Sequence, residues 1–396
     1  MSEWKEYTLE QACEKIYSGG TPSTKKDEYW NGNISWLSSG ETSQRFVYDT
    51  DRKITQEGVK NSSTKLASKG CTVIATAGQG YTRGQASFLM IDTYMNQSVI
   101  ACKANESIVL PLYLYYNLDS RYEEFRLLSD GTSTRGSLSG WILRRMRIKL
   151  PSLSLQKKIV KILFSIDEKI EINNKINNNL LEQTLCKYNS LIKGKLKTAC
   201  IGDYCSIKSG FAFKSAWWQD AGVSVVKIGS INQDCLNLSS CSYVSQDIIP
   251  AAKDFVVSGG DLLIAMTGAT IGKFTMVPKT NKTILVNQRV GKFFLGNNPI
   301  QKIPFIYSTL KQPDIISEVI NRGQGSAQPN ISASEIMSIP CVIPKLEDVN
   351  AFNKRTSFMF ELIISNQSEN IFLSELRDTL LPKLMSGEID VSKITI

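Results

Sequence analysis

The sequence predicts an α+β chain in which two pseudo-twofold-related mixed α/β domains are separated by a long antiparallel two-helix coiled coil. Three observations predict it. The chain repeats itself at a nearly constant offset, each copy carries short β-branched runs punctuated by Gly, Asn and Ser, and each copy ends in a long stretch with a seven-residue apolar period.

The repeat runs the length of the chain. Ser18-Gly19 is answered by Ser209-Gly210, CTVIATAGQGYTRG by DLLIAMTGATIGK, and Asn96-Gln97 by Asn287-Gln288; SDGTSTRGSLS is answered by NRGQGSAQPNIS and Pro151 by Pro344. Offsets stay within about 190 to 193 residues, so few insertions separate the copies. With 396 residues the chain exceeds one ordinary core. Globular units are therefore expected at 1–150 and 198–344, and helical ones at 151–197 and 345–396.

Within the units, CTVIAT, SVIACKA, VSVVKIG and DLLIAM read as brief strands. LPLYLYYNLDSRYEEFRLL and IPFIYSTLKQPDIISEVI have helical spacing with a proline near each start. The aromatics there, Tyr113 to Tyr116 and Phe305 to Tyr307, read as core packing rather than a base-stacking platform.

In the first helical stretch Ile159, Ile166, Asn173 and Leu180 fall every seventh residue, with Leu163 and Ile170 between them. Phe352, Met359, Asn366, Leu373 and Leu380 do the same in the second. Asn173 and Asn366 correspond in the repeat, and a buried asparagine fixes helix register because a shifted pairing leaves its amide unsatisfied. The two are expected within hydrogen-bonding reach of each other. Helices of about 40 residues span roughly 60 Å, and two of them flanking the second unit pair antiparallel if the chain returns on itself. Apolar stripes wider than one seam, such as Ile159 to Ile166, suggest that further subunits dock beside them.

Net charge is +9, distributed as about +3, +5, +3 and −2 over the four segments, which suits an anionic partner. No run approaches the ~18 apolar residues of a membrane span, and the N-terminus lacks a signal-peptide layout, so a cytoplasmic protein is expected. Nine cysteines without a CxxC pair read as reduced thiols rather than a disulfide framework or a metal site. The chain has no histidine, which removes the commonest general base. TGATIGKF departs from a P-loop at its glycine spacing and at Phe274, and no Asn- or Asp-Pro-Pro-aromatic motif is present. Neither a catalytic site nor a cofactor is expected.

Two similar but unequal basic units suggest a protein that matches two DNA half-sites differing in sequence, since twofold proteins read paired half-sites at fixed separation. A scaffold that docks only proteins is the competing reading. SGGTPSTKKDEYWNGNISWLSSGE resembles the opening of a target recognition domain in the specificity subunits of type I restriction-modification systems. LPSLSLQKKIVKILFSIDEKI is similar to their central helical region and LRDTLLPKLMSGEIDV to their C-terminal signature. The resemblance covers essentially the whole chain. It implies two target recognition domains, at 1–150 and 198–344, on helical spacers at 151–197 and 345–396. It also implies a non-catalytic subunit that reads double-stranded DNA while two methyltransferase subunits, and restriction subunits in the full complex, supply the chemistry. Phe211, Ala212 and Phe213 stand where the first copy has Gly20, Thr21 and Pro22, so the openings differ in their contacts.

If each unit reads DNA, Lys25 and Lys26 are placed to hold phosphates, while Thr21, Ser23 and Thr24 offer hydroxyls to phosphate oxygens or base edges. Lys214 and Ser215 are the second-copy equivalents. Arg83 and Arg135, in glycine-flanked loops, are the expected base readers of the first unit because the guanidinium fork matches guanine. Lys273, Arg322, Gln324 and Gln328 are their second-copy counterparts.

Overall fold

The computed structural model describes residues 4–78, 80–130, 137–324 and 329–394. It divides into two compact units, Met1–Asp167 with Glu375–Ile396, and Glu168–Ser374.

In the first unit the central sheet runs in the order Cys13–Ser18, Val99–Ala104, Thr72–Ala75, Ala86–Leu89, Phe46–Val47. Successive side chains of a strand point to opposite faces, and here both faces are covered. Ile74, Ile100 and Cys102 pack toward the helices α1 (Pro111–Asp119) and α2 (Tyr122–Asp130), whereas Val73, Val99 and Ala101 pack toward the second layer with Leu37 and Met95. That layer is a sheet ordered Arg52–Ile54, Trp30–Leu37, Thr93–Met95, Lys65–Ala67. Pro111 opens α1, where a missing N–H is harmless. Tyr113, Tyr115 and Tyr116 are fully buried, as core packing requires. After the first copy the chain enters α3 (Leu153–Ile192).

The second unit repeats this plan, with four strands in its central sheet where the first has five. Its central sheet is Ser206–Ser209, Val290–Phe294, Leu262–Ala265, Phe274–Met276, in the same order as the corresponding first-copy strands. Ile207, Ile264 and Phe293 face α4 (Ile303–Leu310) and α5 (Pro313–Gly323), and Leu263, Ala265 and Val290 face the second layer. The chain ends in α6 (Leu346–Ser386). Among the described residues no helix is long and apolar enough to cross a membrane.

Portions of α3 and α6 lie in both units, and within the second they run antiparallel. Thr184 reaches Met359, Asn177 reaches Asn366, and Asn173 reaches Asn370. In the first unit Leu155, Ile159 and Leu163 of α3 share a core with Leu381, Leu384 and Met385 of α6 and with α1 and α2.

The two copies are seated on their helices by different chemistry. Asp167, the fifteenth residue of α3, is only 3% exposed and takes a 2.7 Å hydrogen bond from the Tyr116 hydroxyl and one of 2.8 Å from Arg377 of α6. Arg45 Nε stands 3.3 Å from the same carboxylate, and its Nη1 pairs with Asp119 at 2.9 Å. At the fifteenth residue of α6 the second copy has Phe360, fully buried, with its ring 5.3 Å from that of Tyr307. Tyr116 and Tyr307 each lie three residues before the end of their helix. The Tyr116 hydroxyl thus meets a carboxylate of its long helix, whereas the Tyr307 hydroxyl donates to Asp234 of its own copy and only its ring meets the helix, at Phe360.

Candidate nucleic-acid interface

In each copy the first strand of the central sheet ends at a serine followed by a glycine, and the geometry explains the glycine. A Cβ on Gly19 would lie 1.9 Å from the Met95 carbonyl oxygen, and one on Gly210 would lie 2.4 Å from those of Val286 and Asn287. The backbone passes there against the segment carrying the repeated Asn-Gln pair. Gly20 N–H donates to Met95 O at 3.0 Å and Thr21 Oγ1 to Gln97 Oε1 at 2.6 Å; in the second copy Phe211 N–H donates to Val286 O and Gln288 N–H to Phe211 O.

Two indoles hold the first opening loop from beneath. Trp36 Nε1 donates to Gly20 O at 3.3 Å and Trp30 Nε1 to Ser23 O at 3.1 Å. Ser23, Thr24, Lys25 and Lys26 are exposed and Thr21 is half-buried. Lys26 is partly engaged, donating to the Tyr29 hydroxyl at 3.0 Å and standing 3.7 Å from Glu28. In the second copy Lys214 and Ser215 are exposed, with the Lys214 ammonium 5.2 Å from the Trp217 ring centroid.

The glycine-loop residues are placed less uniformly. Arg83 is 7% exposed, so it lies inside its loop rather than on the surface. Its neighbour Tyr81 is 82% exposed, and α2 braces the loop through hydrogen bonds from Tyr122 to Tyr81 O and from Arg126 to Gly80 O. Arg322 holds α5 to the following short helix, bonding Glu318 at 2.8 Å, Ser338 Oγ at 2.7 Å and Glu335 O at 3.1 Å. Lys273 is half-buried and Gln324 exposed at the end of α5. Arg135 and Gln328 lie outside the described residues.

Asn173 and Asn366 are buried in the helix seam, 1% and 7% exposed, but they do not bond each other. Asn173 Nδ2 donates to Glu369 at 2.8 Å and to Asn370 Oδ1 at 2.9 Å, and Asn366 Nδ2 donates to Asn177 Oδ1 at 2.9 Å. In an antiparallel pair a residue meets its own repeat counterpart only at the centre of the register, and these two lie to one side of it. Each meets the asparagine one helical turn beyond its counterpart. The repeat maps one Asn-Asn pair onto the other, since Asn173 and Asn177 correspond to Asn366 and Asn370.

A duplicated α/β module with the same glycine mount in both copies, and helices paired through a polar register lock, define an internally repeated two-module protein. The sequence comparisons give it a family. The model of the type I restriction modification DNA specificity domain matches residues 1–182 and again residues 194–370. The chain is 25% identical over 410 residues to the type I restriction enzyme MjaIX specificity subunit of Methanocaldococcus jannaschii, covering 96% of this chain and 92% of that protein. It is 23% identical over 473 residues to the HindI specificity subunit of Haemophilus influenzae, covering 98% and 100%. A crystal structure of a type I restriction-modification S subunit from M. genitalium superposes with a TM-score of 0.56 at 16% identity, covering 97% of this chain and 96% of that one, a likeness of fold. The chain belongs to the type I restriction-modification DNA specificity family, as a non-catalytic specificity subunit with two copies of the domain.

Proposed function

We propose that this subunit reads a bipartite, asymmetric DNA target, one half-site per copy, and recruits two methyltransferase subunits, with restriction subunits joining in the full complex. The observation that carries this is the repeated mount bearing different side chains. Gly19 and Gly210 seat both opening loops in the same way, while Thr21 to Lys26 in one copy and Phe211 to Ser215 in the other present unlike surfaces. A common frame with unlike contact residues suits two half-sites of unlike sequence.

In this reading Lys25, Lys26 and Lys214 neutralise phosphates, and Thr21, Ser23, Thr24 and Ser215 add hydroxyl contacts. Base reading falls to the glycine-loop set, with Arg135, Lys273, Gln324 and Gln328 as its candidates. Arg322 takes part only if it leaves its present partners. Partner docking is supported by one face of the helix pair in the second unit, where Lys169 and Glu369 pair at 3.2 Å. Ile172 and Ile176 of α3 and Phe358, Leu362 and Phe372 of α6 occupy the flanking positions of that face, and the two phenylalanines are 59% and 62% exposed. An apolar face of this kind marks a protein interface. A subunit working on chromosomal DNA would act in the cytoplasm.

The test is the salt dependence of duplex binding by the chain co-expressed with its methyltransferase subunits. A protein that neutralises several phosphates loses affinity steeply as salt rises. Negligible DNA affinity at every salt concentration would leave the scaffold reading standing.

Arg83 supplies a narrower prediction. Because its guanidinium is buried, Arg83→Ala is expected to lower the melting temperature while leaving sequence preference unchanged. Relaxed preference at one half-site, by about 1 to 3 kcal/mol per lost bidentate contact, would instead identify Arg83 as a base reader that emerges on binding.

A further inference from the structure

The second layers of the two copies share a detail that the sequence repeat does not reveal. Trp30 pairs across its sheet with Ile54, and after a bulge Ile34 pairs with Ile54 again. In the second copy Trp218 pairs with Val244, and Val223 pairs with Val244 again. This double pairing makes Trp30 and Trp218 structural equivalents. Each follows one turn of 3₁₀ helix behind an opening loop, Asp27–Tyr29 or Ser215–Trp217.

Each of these indoles carries a cation on its face. The Arg52 guanidinium carbon stands 3.7 Å from the Trp30 ring centroid and 5.3 Å from that of Trp36. The Lys227 ammonium stands 3.6 Å from the Trp218 ring centroid. The two cations come from different strands, Arg52 from Arg52–Ile54 and Lys227 from the residue after Val223–Val226. The tryptophan is thus the repeated part, and each copy supplies its cation by its own route. Among the described residues neither side chain has a carboxylate partner within ion-pairing distance, in a chain where Lys103, Arg147, Lys197 and Lys292 all have one.

An unneutralised cation already fixed on an aromatic face has little freedom left to lose on binding an anion, and cation–π contact leaves its N–H groups free to donate. Both lie beside the loops that bear Lys25 and Lys26 or Lys214. Trp30 bonds Ser23 O directly, and Trp218 packs 5.4 Å from Phe213 in the opening loop. We propose that Arg52 and Lys227 are paired phosphate clamps, each held on an equivalent tryptophan beside its opening loop to grip the DNA backbone at one half-site. Burial lowers the Lys227 ammonium from the ordinary lysine value, and a phosphate oxygen is the kind of partner that would restore it.

This proposal rests on the DNA-reading function, and the experiment separates the two. Binding of cognate and scrambled duplexes would be measured from low to physiological salt, using the full chain with its methyltransferase subunits and its Arg52→Met, Arg52→Lys and Lys227→Met variants. Each methionine variant is expected to weaken both duplexes by the same several-fold factor and to reduce the slope of log affinity against log salt by about one. Arg52→Lys, which keeps the charge, is expected to keep the slope. Unchanged slopes in both methionine variants, beside a steep slope for the unsubstituted complex, would overturn the clamps and leave DNA reading intact. Loss confined to the cognate duplex would also overturn them, making these residues base readers. A flat slope for the unsubstituted complex would remove the DNA reading and the clamps together.

Discussion

Asp167→Ala is expected to destabilise the first unit by about 3 kcal/mol, the low end of the range for breaking a buried ion pair by removing one partner. The carboxylate is almost wholly buried, and it is shared by Arg377, the Tyr116 hydroxyl and Arg45. Its removal takes the acceptor from the Tyr116 hydroxyl and leaves Arg45 with Asp119 and Arg377 with Asp378 as their remaining carboxylate partners. Asp167→Asn should lose less, because the amide oxygen can still accept from Tyr116. Chemical denaturation followed by the fluorescence of the buried first-unit aromatics would measure both.

The second copy supplies the control. Positions 360 and 310, which match Asp167 and Asp119 in their helices, are the buried Phe360 and Leu310. Converting a buried ionic cluster to packed apolar residues is often neutral or stabilising. The combination Arg45→Met, Asp119→Leu, Asp167→Phe and Arg377→Thr should therefore recover most of the stability lost in Asp167→Ala. If the fourfold variant is less stable than the single one, the ionic cluster does more than satisfy its own charges.

These seats show where sequence reading succeeds and where it stops. The heptad seam is legible because it is local: Ile159, Leu163, Ile166, Met359 and Phe352 are buried where a seven-residue period puts them. Asn173 and Asn366 are legible as buried register residues for the same reason. Their partners are not, because which asparagine faces which depends on where the antiparallel register is centred, a property of two segments far apart in the chain. The core role of Tyr113 to Tyr116 follows from helical spacing and the proline start. The glycine loops mislead for a physical reason. Glycine permits a loop to approach DNA, but it equally permits the loop to fold its arginine inward, as at Arg83. Arg322 carries a local hint, since Glu318 stands one turn earlier on the same helix, the spacing of a helical ion pair. Arg52 over Trp30 carries none, because a cross-strand contact leaves no trace in either strand's own pattern.

The difference between the seats shapes the last prediction, that the second recognition domain can be exchanged as a module. Replacing residues 198–344 with the matching segment of another specificity subunit is expected to change one half of the methylated target completely and leave the other half unaltered. On α6 the incoming domain needs to cover the apolar Phe360, Ile363 and Ile364, which many hydrophobic surfaces can do, and to pair with the neutral side chains of Asn353, Gln367 and Ser368, which now bond the Tyr204 hydroxyl, Asp234 O and Lys279 N–H. The first domain is a harder exchange. A replacement for residues 1–150 must bring a cation to Asp167 where Arg45 now stands, or it leaves the carboxylate short of a partner. Donors without that cation should give low yields of folded complex, raised when Asp167→Phe and Arg377→Thr are introduced together. Sequencing the methylated sites of cells carrying each chimera reads both outcomes. A second-domain exchange that altered both halves of the target would overturn the assignment of one half-site to each copy. If first-domain chimeras folded equally well with or without the donor cation, the ionic seat would have no part in selecting what docks on it.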